Sequence, residues 1–437
     1  MMEKIGSNRD SRHVVILGGG PAGTACALAL CRLAPQMGKR VRITLLESKK
    51  FAHEGHYNQC VGVLSPPLPR LLDEELGVPF PHHLVRAEIT GYTLHSAGAG
   101  ISLEDEEEPS IALRRVLYDA YMLDVARERG VTVLPARAID LEFRASSVVV
   151  YTESAPVEGD VVVGAFGLDE GSASLFARLT PYRPPPALSS VVTKYHPGDE
   201  AMDTFGTHIH AFLPRHPRIE FGGVTPKGNH LTINIAGRAV DASLMEVFLA
   251  QSDVRAVLPN FELAGTYDPD DLRFFKGRFP YSRARHYYGN RYVMVGDAAG
   301  LVRSFKGKGV TSAVLTGLRA AKTILQAGVS KAAFHDHYRP ANEDLTGDLP
   351  YGRLMRVLTI LLARYGVMDA VLRGATTEPA LQAALLGAVS GHTPYRQVLT
   401  GALSPSPVSA VLGAMLRRRS QDRVMRSDGS EESPGQD

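Results

Sequence analysis

Three glycines near the start of the chain have the spacing of a phosphate-binding turn. Gly18, Gly20 and Gly23 follow an apolar stretch at residues 14–17 that predicts a short buried strand, and a predicted helix comes after them. The first glycine permits a sharp turn, the second lets a pyrophosphate approach the backbone, and the third lets helix pack on strand. Glu47 ends the next predicted strand, where a carboxylate can accept hydrogen bonds from ribose hydroxyls. This order of elements predicts a site for an adenine dinucleotide.

A second glycine-rich segment, late in the chain, has residues suited to a polyol and a phosphate. Residues 296–300 read Gly-Asp-Ala-Ala-Gly and follow a predicted strand. The carboxylate can accept hydrogen bonds from hydroxyl groups, and the small residues allow close approach. Gly307 and Gly309 open a predicted helix, whose N-terminus carries a partial positive charge.

Composition and length limit the class of protein. The chain has 437 residues, a net charge of +2, 44% hydrophobic and 22% charged residues. These values predict a globular protein of two or three domains with no nucleic-acid partner. Three cysteines without a Cys-x-x-Cys motif predict no disulfide framework. The polar N-terminus lacks a signal-peptide core and no run of 18 apolar residues occurs, so we expect a cytoplasmic protein.

Two histidine groups raise the question of a metal. His53, Glu54 and His56 lie close together, but no second cluster of fitting spacing accompanies them. His208 and His210 alternate on one predicted strand that has no third ligand candidate, so we expect them to be hydrogen-bonded. No metal site is therefore predicted.

The element pattern changes twice along the chain. In the two parts of the nucleotide-binding region, strands joined by helices predict a parallel sheet. Between these two parts, stretches of alternating apolar and polar residues predict a mainly antiparallel sheet. The fold class is α/β: a Rossmann-like domain with an inserted β-sheet substrate domain and a C-terminal helical region. The predicted divisions are 1–180 (nucleotide-binding domain, first part), 181–285 (inserted sheet), 286–335 (second part), 336–419 (helical region) and 420–437 (disordered tail).

Two predicted helices near the C-terminus combine apolar residues with arginines. They span residues 352–373 and 408–419. A basic amphipathic helix can lie on a membrane surface, although packing on the body of the protein is the commoner arrangement. A peripheral contact at the inner face of a membrane is therefore a further expectation.

Together with two shorter motifs, these segments resemble FAD-dependent oxidoreductases of the p-hydroxybenzoate hydroxylase fold and, within it, the geranylgeranyl reductase family. Residues 115–119, Arg-Val-Leu-Tyr-Asp, are similar to the family's R-x-x-F-D, whose arginine contacts FAD. Residues 59–62, Gln-Cys-Val-Gly, are similar to its Cys-Gly element near the isoalloxazine ring. The resulting set of predicted FAD-binding residues is Gly18, Gly20, Pro21, Ala22, Gly23, Glu47, Arg115, Gly296, Asp297, Ala298, Gly300, Gly307 and Gly309.

The chain departs from the family at two elements. Residues 164–167 read Gly-Ala-Phe-Gly, so Phe166 replaces the acid of the hydroxylases' Gly-Ala-Asp-Gly, which disfavours their type of NADPH reaction. In the reductases' substrate motif Phe221 keeps an aromatic residue and Pro226 the proline, but Gly223 replaces the tryptophan. The chain has no tryptophan, so the paired-tryptophan motif of flavin halogenases is absent.

The resemblance implies an FAD-dependent oxidoreductase that reduces carbon–carbon double bonds of an isoprenoid or another lipid by hydride transfer from reduced flavin. Cys60, His56 and Tyr57 are the candidate proton donors, and Phe221 and Pro226 the candidate substrate contacts. Because no second G-x-G-x-x-G occurs, NADPH as a transient reductant and an electron-carrier protein both stay open. The alternatives are a flavin monooxygenase of an aromatic or polyketide-like substrate and a non-catalytic flavin- or lipid-binding protein.

Overall fold

The computed structural model describes residues 11–49, 60–105, 108–261, 272–302 and 309–428, with side chains as far as Arg417. The strands in these ranges are β1 Ser11–Leu17, β2 Arg40–Leu46, β3 Val63–Leu64, β4 Val85–Ile89, β5 Gly91–Ser96, β6 Ala99–Glu104, β7 Ser110–Leu113, β8 Thr132–Leu134, β9 Ala138–Phe143, β10 Val148–Thr152, β11 Val157–Gly159, β12 Val161–Gly164, β13 Ala187–Tyr195, β14 His208–Phe212, β15 Ile219–Pro226, β16 Leu231–Gly237, β17 Phe275–Pro280, β18 Tyr288–Gly289 and β19 Tyr292–Met294.

The α-helices of the same ranges complete the secondary structure. They are α1 Pro21–Gln36, α2 Leu68–Arg70, α3 Arg115–Glu128, α4 Glu170–Leu179, α5 Asp199–Phe205, α6 Ala242–Leu249, α7 Ser252–Val257, α8 Gly309–Gln326, α9 Lys331–Ala333, α10 Arg339–Ala341, α11 Glu343–Thr346, α12 Leu349–Arg364, α13 Met368–Ala375, α14 Pro379–Ser390, α15 Tyr395–Ala402 and α16 Pro405–Asp428.

The chain divides into two compact units. The first unit contains residues 1–88, 108–192 and 275–353, and the second contains 89–107, 193–274 and 354–437. The second unit thus includes the C-terminal helices together with most of the inserted sheet.

A mostly parallel sheet forms the centre of the first unit. Its strand order is β18-β19-β12-β1-β2-β8, and only β18 runs antiparallel to its neighbour. The register places Leu17 beside both Leu46 and Gly164, Leu46 beside Leu134, and Gly164 beside Met294. Because these are the last residues of their strands, five strands end level along one edge. Crossover helices put apolar side chains on both faces of such a sheet, and β1 accordingly ends in four buried residues.

Helices α1 and α8 pack closely within the first unit. A Cβ atom at Gly317 of α8 would lie 2.3 Å from the carbonyl oxygen of Ala22 in α1, so only glycine fits this crossing. Most of α1 is alanine, leucine and cysteine, and its buried residues include Cys26. Burial raises the pKa of the Cys26 thiol to about 12, which keeps the thiol protonated. The crossing therefore fixes the first turn of α1 against α8.

Within the second unit, β16, β15, β14, β5 and β6 lie side by side. All neighbouring pairs are antiparallel except β14 with β5. Tyr92, Leu94 and Leu103 pack in a core with Leu372 and Leu381 of the C-terminal helices. The predicted fold class is confirmed: the protein is α/β, with a parallel sheet, a mainly antiparallel sheet and C-terminal helices.

Three predicted elements differ from the structure. The stretch 243–258, whose sequence predicts one helix, forms two helices, α6 and α7, because Gln251 between them is extended. The stretch 352–373 also divides, since Gly366 between α12 and α13 has φ +70°. The backbone of residues 420–428 continues helix α16, whereas the sequence predicted disorder from residue 420.

In the described ranges, no single helix has both the length and the apolar character needed to cross a membrane. The segments Tyr395–Ala402 and Pro405–Arg417 meet that criterion only as a pair, and they are bent by 58°.

Candidate functional site

The two glycine-rich segments leave the parallel sheet at the same edge. The amide of Gly18 donates to Leu46 (2.9 Å), and the amide of Val295 donates to Gly164 (3.0 Å). The amide of Glu47 donates to Leu134 (3.0 Å) in the same row. Ligands of doubly wound α/β proteins bind outside the carboxyl ends of the strands, which is where these segments lie.

The glycines of the first turn have different surroundings. A Cβ atom at Gly18 would lie 2.4 Å from the carbonyl oxygen of Ala165. A Cβ atom at Gly23 would lie 1.9 Å from the carbonyl oxygen of Gly18. At Gly20 a Cβ atom would meet no atom of the described residues within 4 Å. Gly18 also has φ +112°, which favours glycine. Two glycines are therefore required by the protein's own packing, while Gly20 leaves an open approach to the backbone.

Helix α1 begins directly at this turn. Gly20 is its N-cap, no side chain caps it, and Pro21 takes the first position, where its fixed φ suits a helix start. The first-turn N–H groups, including that of Ala22, are thus available to an anion. The Glu47 carboxylate lies beside the turn and accepts hydrogen bonds from the amides of Gly19 (2.8 Å) and Lys49 (2.7 Å).

The turn formed by residues 296–300 is held by side chains that sequence reasoning missed. Gly296 has φ +58° and its amide donates to Thr316 Oγ1 (2.9 Å) in α8. The hydroxyl of Tyr182 donates to the carbonyl of Ala298 (2.8 Å), and that of Tyr338 donates to Met294 (3.0 Å). All three supporting side chains are fully buried. The sequence has no local pattern that identifies their hydrogen-bond partners, and its tyrosines were the only hint of such contacts.

Asp297 is oriented by this turn and has an unusual electrostatic environment. Burial raises the pKa of its carboxyl group from 3.8 to about 6, against the opposing charge of Arg115. Among the described residues, no donor forms a hydrogen bond to this carboxylate. A ligand with several hydroxyl groups would supply the missing donors and favour the ionised form.

Arg115, at the first position of α3, is held by Asp119 one turn later. Its Nε and Nη2 atoms donate to the Asp119 carboxylate over 3.0–3.2 Å, and both side chains are largely buried. Arg115 acts electrostatically on Asp297 as well as on Cys60. The structure therefore brings these predicted residues together in the first unit.

Cys60 lies in a segment tied to both helices that flank the site. The carbonyl of Gly62 accepts from the amide of Leu113, just before α3, and the carbonyl of Ser65 accepts from Thr311 Oγ1 in the first turn of α8. The Cys60 sulfur accepts from the amide of Gly62 at 3.4 Å. The other predicted proton donors, His56 and Tyr57, and the predicted cofactor residue Gly307 lie outside the described residues. Gly309 begins α8, and a Cβ atom there would meet none of the described residues within 4 Å.

The predicted substrate residues lie on β15 in the second unit. Phe221 is half-buried, and Pro226 is buried at the end of the strand. At Gly223, where the reductases have tryptophan, a Cβ atom would come within 2.9 Å of the Asn234 side chain. A Cβ atom at the neighbouring Gly222 would lie 2.3 Å from the ring of Phe248. The strand thus offers one aromatic side chain, Phe221, beside a position with little room.

The histidines of β14 are hydrogen-bonded, as predicted. His208 bonds to Thr93 (3.2 Å) and Glu104 (3.1 Å), and His210 bonds to His95 (2.9 Å). Burial lowers the pKa of His210 to about 4, with His95 and His208 adding to the effect, so its ring stays neutral near pH 7. No group of three or more potential metal ligands occurs among the described residues.

The geometry of the first unit fits a flavin adenine dinucleotide. The open position at Gly20 and the uncapped start of α1 suit a pyrophosphate, and Glu47 suits a ribose. No described residue donates a hydrogen bond to the Asp297 carboxylate, as expected of a residue that binds hydroxyl groups of a polyol chain.

Several solved structures have a similar fold. A geranylgeranyl bacteriochlorophyll reductase-like protein from Thermoplasma acidophilum is 15% identical, with a TM-score of 0.66 over 93% of this chain and 99% of that one. A variant of the halogenase PltM in complex with FAD is 16% identical (TM-score 0.61, 97% and 93% covered). The p-nitrophenol 4-monooxygenase PnpA from Pseudomonas putida DLL-E4 is 14% identical (TM-score 0.62, 89% and 98% covered). At these identities the similarity establishes the fold.

No family model and no curated protein sequence matches the chain.

Proposed function

We propose that this protein is an FAD-dependent oxidoreductase. The supporting observation is that the Gly18–Gly23 turn, Glu47 and Asp297 all follow strands that end level at one edge of the sheet. Similarity of fold to a halogenase solved with FAD is consistent with this assignment. FAD, when bound, supplies two-electron redox chemistry.

The residues of the first unit bind and orient the cofactor. The N–H groups at the start of α1 donate to its pyrophosphate, and Glu47 accepts from its adenosine ribose. Asp297 accepts from hydroxyls of the ribityl chain, while Arg115, fixed by Asp119, supplies a positive charge nearby. Gly300, with φ +64°, keeps the second turn tight, since a Cβ atom there would lie 2.1 Å from the Ser282 carbonyl oxygen.

The proposed reaction is reduction of a carbon–carbon double bond in an isoprenoid or another lipid. Among the described residues, Cys60 is the candidate for proton delivery, and it lies within electrostatic range of Arg115. Phe221 is the candidate apolar contact with the substrate. Either NADPH or a protein electron carrier would serve as the reductant. The reductase-like neighbour supports this choice, whereas a tryptophan-free chain has no paired-tryptophan motif of the halogenases.

The decisive experiment separates binding from reaction. Purified protein is titrated with FAD, and a yellow, stoichiometric complex is the expected result. The complex is then reduced without oxygen and mixed with polyprenyl lipids. The lipids are extracted, and their masses are measured by mass spectrometry. A gain of two hydrogen atoms per double bond supports the reductase. In a parallel aerobic assay with NADPH, substrate-stimulated oxygen consumption without saturated product would replace it with a monooxygenase. A flavin that stays reduced in the anaerobic mixture and shows no such oxygen consumption would indicate a non-catalytic binding protein.

A further inference from the structure

Helix α16 directs its larger apolar side chains outward. Pro407 and Ala414 are buried, and Gly374 of α13 packs against the backbone at Ala410 and Val411. Val408, Leu412 and Leu416 are spaced four residues apart on another side of the helix. They are 40%, 55% and 64% exposed, and Leu403, just before α16, is 64% exposed. We call these four residues the outer stripe.

This arrangement is the reverse of a helix that only covers a core. Such a helix buries its larger apolar residues and exposes polar ones. Residues spaced four apart share one face of a helix, so the outer stripe is continuous and not a scatter of single exposed residues. Something apolar outside this chain's own core is therefore expected to cover it.

The charges around the outer stripe indicate what that partner is. Residues 395–419 contain four arginines, at positions 396, 417, 418 and 419, and no aspartate or glutamate. Arginines at the edge of an apolar stripe are suited to anionic lipid headgroups, with the apolar residues entering the acyl boundary. Helix α16 as a whole contains five arginines against two aspartates, Asp422 and Asp428, so two copies of it would repel each other through their net positive charge.

A second helix of the same unit also exposes apolar side chains. Helix α12 exposes Leu354, Val357 and Leu361, and Tyr365, just after the helix, is 76% exposed. Of the two arginines in residues 354–364, Arg364 is exposed, whereas Arg356 is held in an ion pair with Glu220. Two helices of one unit that expose apolar side chains favour an extended lipid surface over a single narrow protein ligand.

We propose that the outer stripe binds the surface of an anionic membrane, with α16 lying in the plane of the interface. Binding is peripheral: the apolar side chains enter the headgroup boundary, and the exposed Arg417, which follows Leu416, contacts the acidic headgroups. This proposal is independent of the cofactor assignment.

The absence of tryptophan from the chain provides a direct test. Leu412→Trp introduces the only tryptophan of the full-length protein, which can be excited selectively, and Val247→Trp, at an exposed apolar position of α6, is the matched control. Each is mixed with vesicles of phosphatidylcholine alone or with added phosphatidylglycerol. The emission of Leu412→Trp is expected to shift to shorter wavelength only with the anionic vesicles, and less so at high salt. That of Val247→Trp is expected to stay unchanged.

A loss variant completes the test. Leu412→Gln combined with Leu416→Gln should lower the partition coefficient onto anionic vesicles by about tenfold or more, because two apolar side chains are lost from the interface. Val247→Gln should leave it unchanged. The proposal is overturned if Leu412→Trp does not respond to anionic vesicles. It is equally overturned if the fluorophore is already shielded without lipid in a concentration-dependent dimer, since the stripe would then be a contact between copies. FAD binding is measured separately and is expected to be the same in all four variants.

Discussion

Gly20 and Gly23 lie in one turn but face opposite constraints. A Cβ atom at Gly23 would come within 1.9 Å of the Gly18 carbonyl oxygen, while one at Gly20 would meet none of the described residues within 4 Å. Gly20 also has φ −73°, which alanine adopts freely. Packing among the described residues therefore requires glycine at position 23 but not at position 20, where we expect a ligand to require it.

This difference predicts opposite results for two alanine variants. Gly20→Ala should unfold at the same temperature as the parent protein but bind FAD at least tenfold more weakly, because the methyl group occupies the approach to the pyrophosphate. Gly23→Ala should lower the unfolding temperature, since overpacking costs about 1–3 kcal/mol. Thermal unfolding and FAD titration of both variants provide the check. Undiminished FAD affinity in Gly20→Ala would argue against a pyrophosphate at this turn.

Asp119 is expected to position Arg115 for the cofactor. Asp119→Asn removes the charge that orders the guanidinium, so FAD affinity should fall roughly tenfold, which corresponds to about 1.4 kcal/mol. Asp124→Asn on the same helix is the control, because Asp124 is exposed and pairs only near the surface with Arg127. If both variants bind FAD equally well, Arg115 does not need Asp119 to act on the cofactor.

The pH dependence of cofactor binding should report Asp297. Its pKa is about 6 in the free protein and should fall when hydroxyl groups donate to the carboxylate. Binding is then linked to loss of a proton, so FAD affinity should rise with pH up to about pH 6 and level off above it. Isothermal titration in buffers of different ionisation enthalpy would measure the released proton. Asp297→Asn should bind more weakly and lose this dependence.

The same carboxyl group has the opposite effect on the stability of the free protein. A pKa raised by folding contributes stability that is present below the unfolded value of 3.8 and is lost as pH rises through about 6. As the pH increases across this window, the parent protein without FAD should therefore lose stability, and the unfolding temperature of Asp297→Asn should rise relative to that of the parent. A constant difference across the window would mean that Asp297 titrates normally in the fold.

The second unit contains a buried ion pair whose removal should be costly. Arg356 of α12 donates to both oxygens of Glu220 at 2.5 Å, and both side chains are nearly buried. Arg356→Met leaves a carboxylate without its counter-charge and should destabilise the protein by about 3–5 kcal/mol. Adding Glu220→Gln should recover most of this loss. Arg364→Met, an exposed position of α12, is the control in thermal unfolding.

Local spacing was sufficient to predict the elements that bind a dinucleotide. The positions of Gly18, Gly20, Gly23 and Glu47 relative to their strands depend on turns and short apolar runs, which neighbouring residues specify. Helix boundaries were less predictable. The break at Gly366 depends on one left-handed residue inside an otherwise continuous helical pattern.

By itself, the sequence determined the α/β fold class and the segments with cofactor-binding chemistry, because these are encoded by periodicity and by residue types at fixed spacing. Only the tertiary structure decided that Thr316, Tyr182 and Tyr338 support the Asp297 turn, since their partners lie 20 to 116 residues away. It also decided which side of α16 is buried. In residues 407–416 of that helix apolar residues occur on both faces, so hydrophobicity alone cannot orient it. Its smaller side chains allow close packing against α13, and the leucines are left outside.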